Sequence, residues 1–315
     1  MMINRGCPMV KEDMIFKVAW YYYMEGMTQQ QISELLDISR MKVVSFLEQA
    51  RQEGMVQFKV RSEQGNRIKL EKMIIEKYGL EDAYIVPTSP DNINKSIAKA
   101  AAQYINEKLK EDDFINIGYG ETISYTLHYL LSYLEKKVSF ISLAGGVSVY
   151  ANALIGSSQQ RNSFNPADIY LIPSPLILST PELAETFCKE KSVKNIMDMT
   201  QSSDYTIIGI GALNRDATIY KEGHISDSDL RVLERKGAIG DILSQFYDKD
   251  GNILDVELHK RLISVKLDTL KEKKNVIGIA GGPGKLPSMH AALISGIVDI
   301  LITDEESAQA LLDQY

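Results

Sequence analysis

Between Met14 and Ala50 the apolar side chains recur at helical spacing, and polar caps interrupt them at regular places. Ile15, Val18, Ala19 and Tyr22 share one face of a helix expected over 12–24, and Gly26 in Glu25-Gly26-Met27 suits its C-terminus. Thr28 is an N-cap for a second helix through Ile32 and Leu35. Asp37-Ile38 forms a short turn, and Ser39 caps a third helix carrying Val43, Val44, Leu47 and Ala50 as far as Gly54. Residues 55–60 are expected to form one short strand or wing. The polar stretch 62–67, with Gly65, marks a boundary. Leu70, Met73 and Ile74 then predict a connecting helix over 68–78, a candidate subunit contact.

From Ala83 the period changes. Short β-rich runs at 83–86, 114–117, 138–143, 169–172, 205–210, 276–279 and 300–302 alternate with helical segments such as 96–109, 123–134, 226–235 and 290–295. Strands alternating with helices predict an α/β domain whose mostly parallel sheet is covered on both faces. The expected organisation is a helix-turn-helix head over 1–61, a linker and connecting helix over 62–82, and an effector-binding and oligomerisation domain over 83–315.

The head's two capped helices and tight turn predict a DNA reader, with Ile32, Leu35, Ile38, Val43 and Leu47 inside. Thr28, Gln29, Gln30, Ser39, Arg40, Met41, Lys42 and Ser45 are the candidate contacts. Arg and Lys suit phosphates and guanine edges, Gln suits adenine, and the hydroxyls with their helix-start amides suit phosphates. A plain helical hairpin with a solvated polar face, or a head that binds protein, is the alternative.

Charge fits a DNA reader on an acidic body. Net charge is -7, yet Met1–Arg61 holds 8 Lys and Arg against 7 Asp and Glu, leaving the remainder at -8. Met1–Asp13 has no apolar signal-peptide core, and no apolar run of about 18 residues occurs, which argues for a cytoplasmic protein without a membrane partner. The only cysteines, Cys7 and Cys188, are far apart in sequence and make no disulfide framework.

Three glycine loops follow predicted strands: Gly118-Tyr119-Gly120-Glu121-Thr122, Ala144-Gly145-Gly146-Val147-Ser148 and Ala280-Gly281-Gly282-Pro283-Gly284-Lys285. Such loops lie at the carboxyl edge of a parallel sheet, where ligands bind. Gly118, Gly120, Gly145 and Gly146 would open backbone amides to an anion, Thr122 adds a hydroxyl and Lys285 a positive charge. Glu121 and Asp241 are candidate acceptors for sugar hydroxyls. Tight turns alone would also explain the glycines. No cofactor is expected: Ile123 stands where a dinucleotide fingerprint needs glycine, and Ile279 and Leu286 break a Walker A pattern. His128, His224, His259 and His290 show no metal-ligand spacing, and Asp248 and Asp250 belong to a turn.

The sequence resembles the SorC family of bacterial sugar-responsive transcription regulators over almost its whole length. The resemblance rests on the head ending Ile38-Ser39-Arg40-Met41-Lys42-Val43-Val44, on Gly209-Ile-Gly211-Ala212, on Gly237-Ala-Ile-Gly240-Asp241-Ile242, and above all on Ala280-Gly281-Gly282 with Lys285 followed by Leu301-Ile302-Thr303-Asp304-Glu305. It implies a Rossmann-like body of the sugar-isomerase and glucosamine-phosphate deaminase type, without catalysis, in a homotetramer whose assembly responds to a sugar or sugar phosphate. It also implies that Gly118, Gly120 and Thr122 form a first phosphate loop, that Gly145 and Gly146 form a second, that Asp241 belongs to a family motif and that Lys285 touches phosphate. Pro283 and Pro287 depart from the pattern, and Pro287 is expected to open a helix. The expected function is a regulator of a sugar-utilisation operon that binds double-stranded operator DNA. The rival is a sugar-phosphate isomerase or deaminase with Glu121, Asp241 or Asp304 as base, for which no acid–base pair emerges from the spacing.

Overall fold

The computed structural model describes residues 11–52, 55–56, 62–89, 92–151 and 167–315. Internal contacts divide the chain into two units, Met1–Gly65 and Asn66–Tyr315.

In the first unit, helices α1 (Lys11–Tyr23), α2 (Gln29–Leu36) and α3 (Arg40–Gln52) enclose Ile15, Val18, Ala19, Ile32, Val43, Phe46, Leu47 and Ala50. Thr28 closes a capping box: its hydroxyl accepts from the Gln31 amide at 3.3 Å, and the Gln31 side chain accepts from the Thr28 amide at 2.9 Å. Asp37 takes the left-handed conformation that ends α2, and Ser39 accepts from the Lys42 amide at 3.3 Å to start α3. One expected core position differs. Leu35 is exposed, because the eight-residue α2 turns Ile32 and Leu36 inward, and Phe46 fills the space instead. Phe16 and Trp20 on α1 and Met24 just past its end form an exposed row, with the Trp20 indole N–H donating to Glu25 at 3.2 Å. The expected helix stop at Gly54 and residues 57–60 of the strand or wing expected over 55–60 lie outside the described residues, while Met55 and Val56 form a bend.

Helix α4 (Ser62–Tyr78) begins earlier than its apolar spacing indicates, so the polar stretch with Gly65 is helical. Leu70 and Ile74 anchor it in the core of the second unit. Three polar ties hold it there. Glu71 accepts the Ile85 amide at 3.0 Å, Arg67 faces Glu305 at 3.9 Å, and the Lys77 ammonium donates to the Leu311 and Leu312 carbonyls at 3.0 and 3.3 Å.

The second unit is built on a sheet of seven parallel strands: β1 (Asp82–Val86), β2 (Phe114–Ile117), β3 (Val138–Ser142), β4 (Ala167–Tyr170), β5 (Tyr205–Gly209), β9 (Val276–Ile279) and β10 (Ile300–Asp304), in the order β1-β10-β9-β5-β2-β3-β4. All seven strand runs expected from the sequence are present. Alternate residues feed two cores: Ile277, Ile279, Ile300 and Ile302 pack on one face, Val276, Ala280 and Leu301 on the other. Burial on both faces explains the nearly continuous apolar runs. After β2 the chain winds outward through β3 to β4; after β5 it winds the other way through β9 to β10. The β2–β5 junction is therefore the switch point, where the strand ends diverge and leave a crevice.

Sequence periodicity did not reveal a second, three-stranded antiparallel sheet: β6 (Gly211–Ala212), β7 (Gly240–Ile242) and β8 (Gln245–Tyr247). The β7–β8 hairpin turns through Leu243 and Ser244, both at positive φ. A two-residue hairpin needs this geometry, though Asn-Gly is its usual sequence. The Asp241 carboxylate supports the turn by accepting the Ser244 amide at 3.0 Å.

Candidate functional site

On the head, Thr28, Gln30, Ser39, Arg40, Met41, Lys42 and Ser45 are exposed, while Gln29 is half-buried. Gln29 accepts from the Arg40 guanidinium at 3.4 Å, joining the start of α2 to the start of α3. Gln30 donates to Glu34 at 2.8 Å, and the Lys42 ammonium lies 5.9 Å from the Phe46 ring centre. The start of α3 thus presents two cations and a fully free Met41 thioether, with the core behind them.

In the second unit a cavity of about 340 Å³ lies at the switch point. Its walls come from the loop after β2 (Gly120, Glu121, Thr122), from residues 209–221 after β5, from Asp241 on the small sheet, and from Lys285 after β9. Helix α5 (Glu121–Tyr133) opens onto it. Its N-cap is Gly120, at φ 130°, which offers no side-chain cap. The Glu121 amide donates to the Thr218 hydroxyl at 3.2 Å. Among the described residues the Thr122 and Ile123 amides have no partner, so two of the helix's unsatisfied N–H groups face the cavity.

Lys285 is set by the turn Pro283–Lys285, from which a helix over Leu286–Ile294 departs with Pro287 in its first turn. Pro287 thus opens the helix, and the prolines leave Lys285 directed into the cavity, where its ammonium donates to Asn94 at 3.4 Å. Among the described residues it has no carboxylate ion-pair partner. Burial pushes its pKa below the ordinary ammonium value, while Asp241 and Glu121 pull it back up. Asp241 is pushed up to about 6 by burial, opposed by the Ser244 amide and by Lys285. An under-neutralised ammonium and open amides favour an anion; the carboxylates of Asp241, Glu121 and Asp216 and the amides of Asn94 and Asn214 suit hydroxyl groups.

The other expected loop residues stand elsewhere. Gly118 lies beneath the cavity, its amide bonded to the Ile207 carbonyl at 2.7 Å. Gly145 and Gly146 do not line the cavity, and their amides donate to Ile263 and Ser174, both at 2.9 Å. A Cβ on Gly145 would meet the Pro175 carbonyl oxygen at 2.5 Å, and one on Gly146 would meet the Tyr119 ring at 2.8 Å. Here glycine serves close packing, and the amides are already committed. Conversely, Asn94, Asn214, Asp216, Thr218 and Lys221 line the cavity without having been singled out. The one signal for the 209–221 wall was Gly209-Ile-Gly211-Ala212. Gly211 needs its small size because a Cβ there would overlap the Asp241 carboxylate.

A helix-turn-helix head with a ligand cavity at the switch point of an α/β body defines a class of effector-controlled DNA-binding regulators. Residues 62–313 match the Sugar-bind family, described as "Putative sugar-binding domain". The transcriptional regulator LsrR of Klebsiella pneumoniae subsp. pneumoniae is 34% identical over 312 residues, covering 98% of this chain and 95% of its own length. LsrR of Escherichia coli (strain SMS-3-5 / SECEC) is 32% identical over 309 residues, 96% of each chain. The crystal structure of the full-length sorbitol operon regulator SorC from Klebsiella pneumoniae shares the fold, with a TM-score of 0.70 at 24% identity over 96% of this chain and 99% of that one. The chain belongs to the SorC family of transcriptional regulators. Its relatives are regulators by name, which sets the isomerase or deaminase alternative aside.

Proposed function

We propose that this chain regulates a sugar-utilisation operon: the head binds double-stranded operator DNA, and the cavity binds a sugar phosphate that changes operator affinity. The observation that carries the reading is one cavity combining the Lys285 ammonium, the open Thr122 and Ile123 amides, and the Asp241 and Glu121 carboxylates. The phosphoryl group belongs against Lys285, Gly120 and the start of α5; the sugar hydroxyls belong against Asp241, Glu121 and Asn94. At about 340 Å³ the cavity is at the small end of ligand pockets, which run to roughly 1,000 Å³.

On the DNA side, Arg40, Met41, Lys42 and Ser45 enter the major groove, Gln29 and Gln30 suit adenine edges, and Thr28 and Ser39 meet backbone phosphates. The chain acts in the cytoplasm as a homo-oligomer, a tetramer as the SorC-family resemblance implies, and two heads on a symmetric dimer within it would read half-sites about 34–36 Å apart or a multiple of that. The head over 1–61, the connecting segment over 62–82 and the body over 83–315 divide these tasks. Effector binding is tighter in one quaternary arrangement than in another, and that difference reaches the operator.

A gel shift on DNA upstream of the protein's own operon, with and without a panel of sugars and sugar phosphates, tests this. A specific shift modulated by a phosphorylated sugar is the expected result. Modulation by a free sugar alone would remove the phosphate assignment. No shift at low salt with folded protein would remove the DNA-binding head.

A further inference from the structure

Asp304 stands at the end of β10 and is 1% exposed. It caps the C-terminal helix Glu305–Gln314, its Oδ1 accepting from the Ser307 amide at 3.1 Å and from the Thr88 hydroxyl at 2.9 Å. A cap needs only one oxygen, and Ser, Thr or Asn supplies it without burying a carboxylate. The second oxygen crosses to the neighbouring strand's loop. Oδ2 accepts from the Gly282 amide at 3.2 Å and from the Ser307 hydroxyl at 2.6 Å, and that hydroxyl also accepts from Gly282 at 2.7 Å. Gly281 has no room for a Cβ, because one built there overlaps Oδ2. Gly282 adopts φ 97°, and the Lys285 amide donates to its carbonyl at 3.0 Å. Only Pro283 and Gly284 therefore separate the clamp from the cavity lysine.

We propose that Asp304 is the positioning residue of the effector cavity: its buried carboxylate clamps the Gly281–Gly282 backbone and thereby fixes where the Lys285 ammonium stands. The inference rests on the reading of that cavity as the effector site. It explains why a buried acid follows β10 while glycines follow β9. Neither capping nor a tight turn requires the other, but the clamp requires both.

The test compares Asp304→Asn, Ser307→Ala and Thr88→Val in the full-length protein. Asparagine keeps the capping oxygen and replaces the loop-facing oxygen with an amide that cannot accept from Gly282. Ser307→Ala removes only the hydroxyl half of the clamp and serves if Asp304→Asn does not fold. Thr88→Val removes a donor from the capping oxygen and leaves the loop side intact. Lys285 is followed by NMR titration after reductive ¹³C-methylation, its resonance assigned with Lys285→Arg, and inorganic phosphate is the binding probe by calorimetry.

Asp304→Asn is expected to move the Lys285 titration up toward the ordinary ammonium value and to weaken phosphate about tenfold. Ser307→Ala is expected to do the same to a smaller extent, and Thr88→Val to leave both readings at the wild-type values. A wild-type Lys285 titration in both Asp304→Asn and Ser307→Ala would overturn the proposal, as would an equal shift in Thr88→Val. If phosphate does not bind the wild-type protein, the phosphate reading of the cavity fails, and the Lys285 titration still decides the clamp.

Discussion

Asp241 lies on β7 and His259 packs against Phe246 of β8, and their protons work in opposite directions. Burial pushes His259 down to about 4, leaving its Nε2 free to accept the Phe246 amide at 2.8 Å. Between pH 4 and 6.5 the unfolded chain holds a proton on this histidine that the folded chain lacks, so stability rises with pH. Asp241, pushed up to about 6, holds a proton in the folded chain that the unfolded chain lacks between about 3.8 and 6, so stability falls with pH there. Each effect is on the order of 3 kcal/mol at full size, and the two nearly offset. Asp241→Asn is therefore expected to steepen the rise of unfolding free energy from pH 4 to 6.5, and His259→Gln, which keeps an acceptor, to flatten or reverse it. Denaturant melts across that range check both.

The head offers a second residue-scale prediction. Arg40→Ala or Lys42→Ala should each weaken operator binding by about 1–3 kcal/mol, and loss of a phosphate contact should lower the salt slope by about one. Titrations at several salt concentrations separate the two roles. Lys285 could be picked from the sequence because a charged residue beside glycines after a strand has few other uses, and Asp241 because it stands in the Gly237-Ala-Ile-Gly240-Asp241 motif. Asn94 and Thr218 could not, since an amide or hydroxyl near a helix start reads as a cap.

Among the elements, the central parallel strands were legible because burial on both faces favours runs rich in Ile, Val and Leu, whereas the edge strand β4, with exposed residues alternating along it, lies two residues earlier than its apolar run indicates. Strands of two or three residues carry no period, so β6, β7 and β8 were not legible, and Leu243-Ser244 hides a hairpin turn that Asn-Gly would have announced. The glycine loops show a different limit. Glycine reports that something comes close but not what: at Gly120 it is the cavity, at Gly145 the Pro175 backbone. Gly145→Ala should cost about 1–3 kcal/mol of stability through overpacking and leave effector affinity in the folded protein unchanged. Gly120→Ala, strained at φ 130° yet with a Cβ that would meet only the Thr218 hydroxyl at 3.8 Å, should weaken effector binding instead. Thermal melts paired with calorimetric titrations distinguish them.

For the whole molecule, the proposed ligand and DNA sites belong to different units, so their effects on stability are separable. Effector at a hundred times its Kd should stabilise the Asn66–Tyr315 unit by about 2.7 kcal/mol and leave the Met1–Gly65 unit unmoved when no DNA is present. Scanning calorimetry reads this as one shifted and one stationary transition. With DNA present the coupling is reciprocal: the factor by which effector changes operator affinity equals the factor by which operator changes effector affinity. The ties from Arg67, Glu71 and Lys77 make helix α4 part of the body's own packing, so whatever alters the body bears on the helix that precedes it.

Trp20 is the only tryptophan in the chain, and it lies on the exposed row of α1. The sixteen tyrosines complicate ultraviolet absorption, but excitation at the red edge of the spectrum selects the single indole. The native protein therefore carries an optical label on its head and none on its body. Emission colour, iodide quenching and anisotropy all report on one side chain, half-open to solvent and tied to Glu25. Docking of the head, its rotation or its burial against another surface can be followed in the unmodified protein, in real time, without attaching a dye.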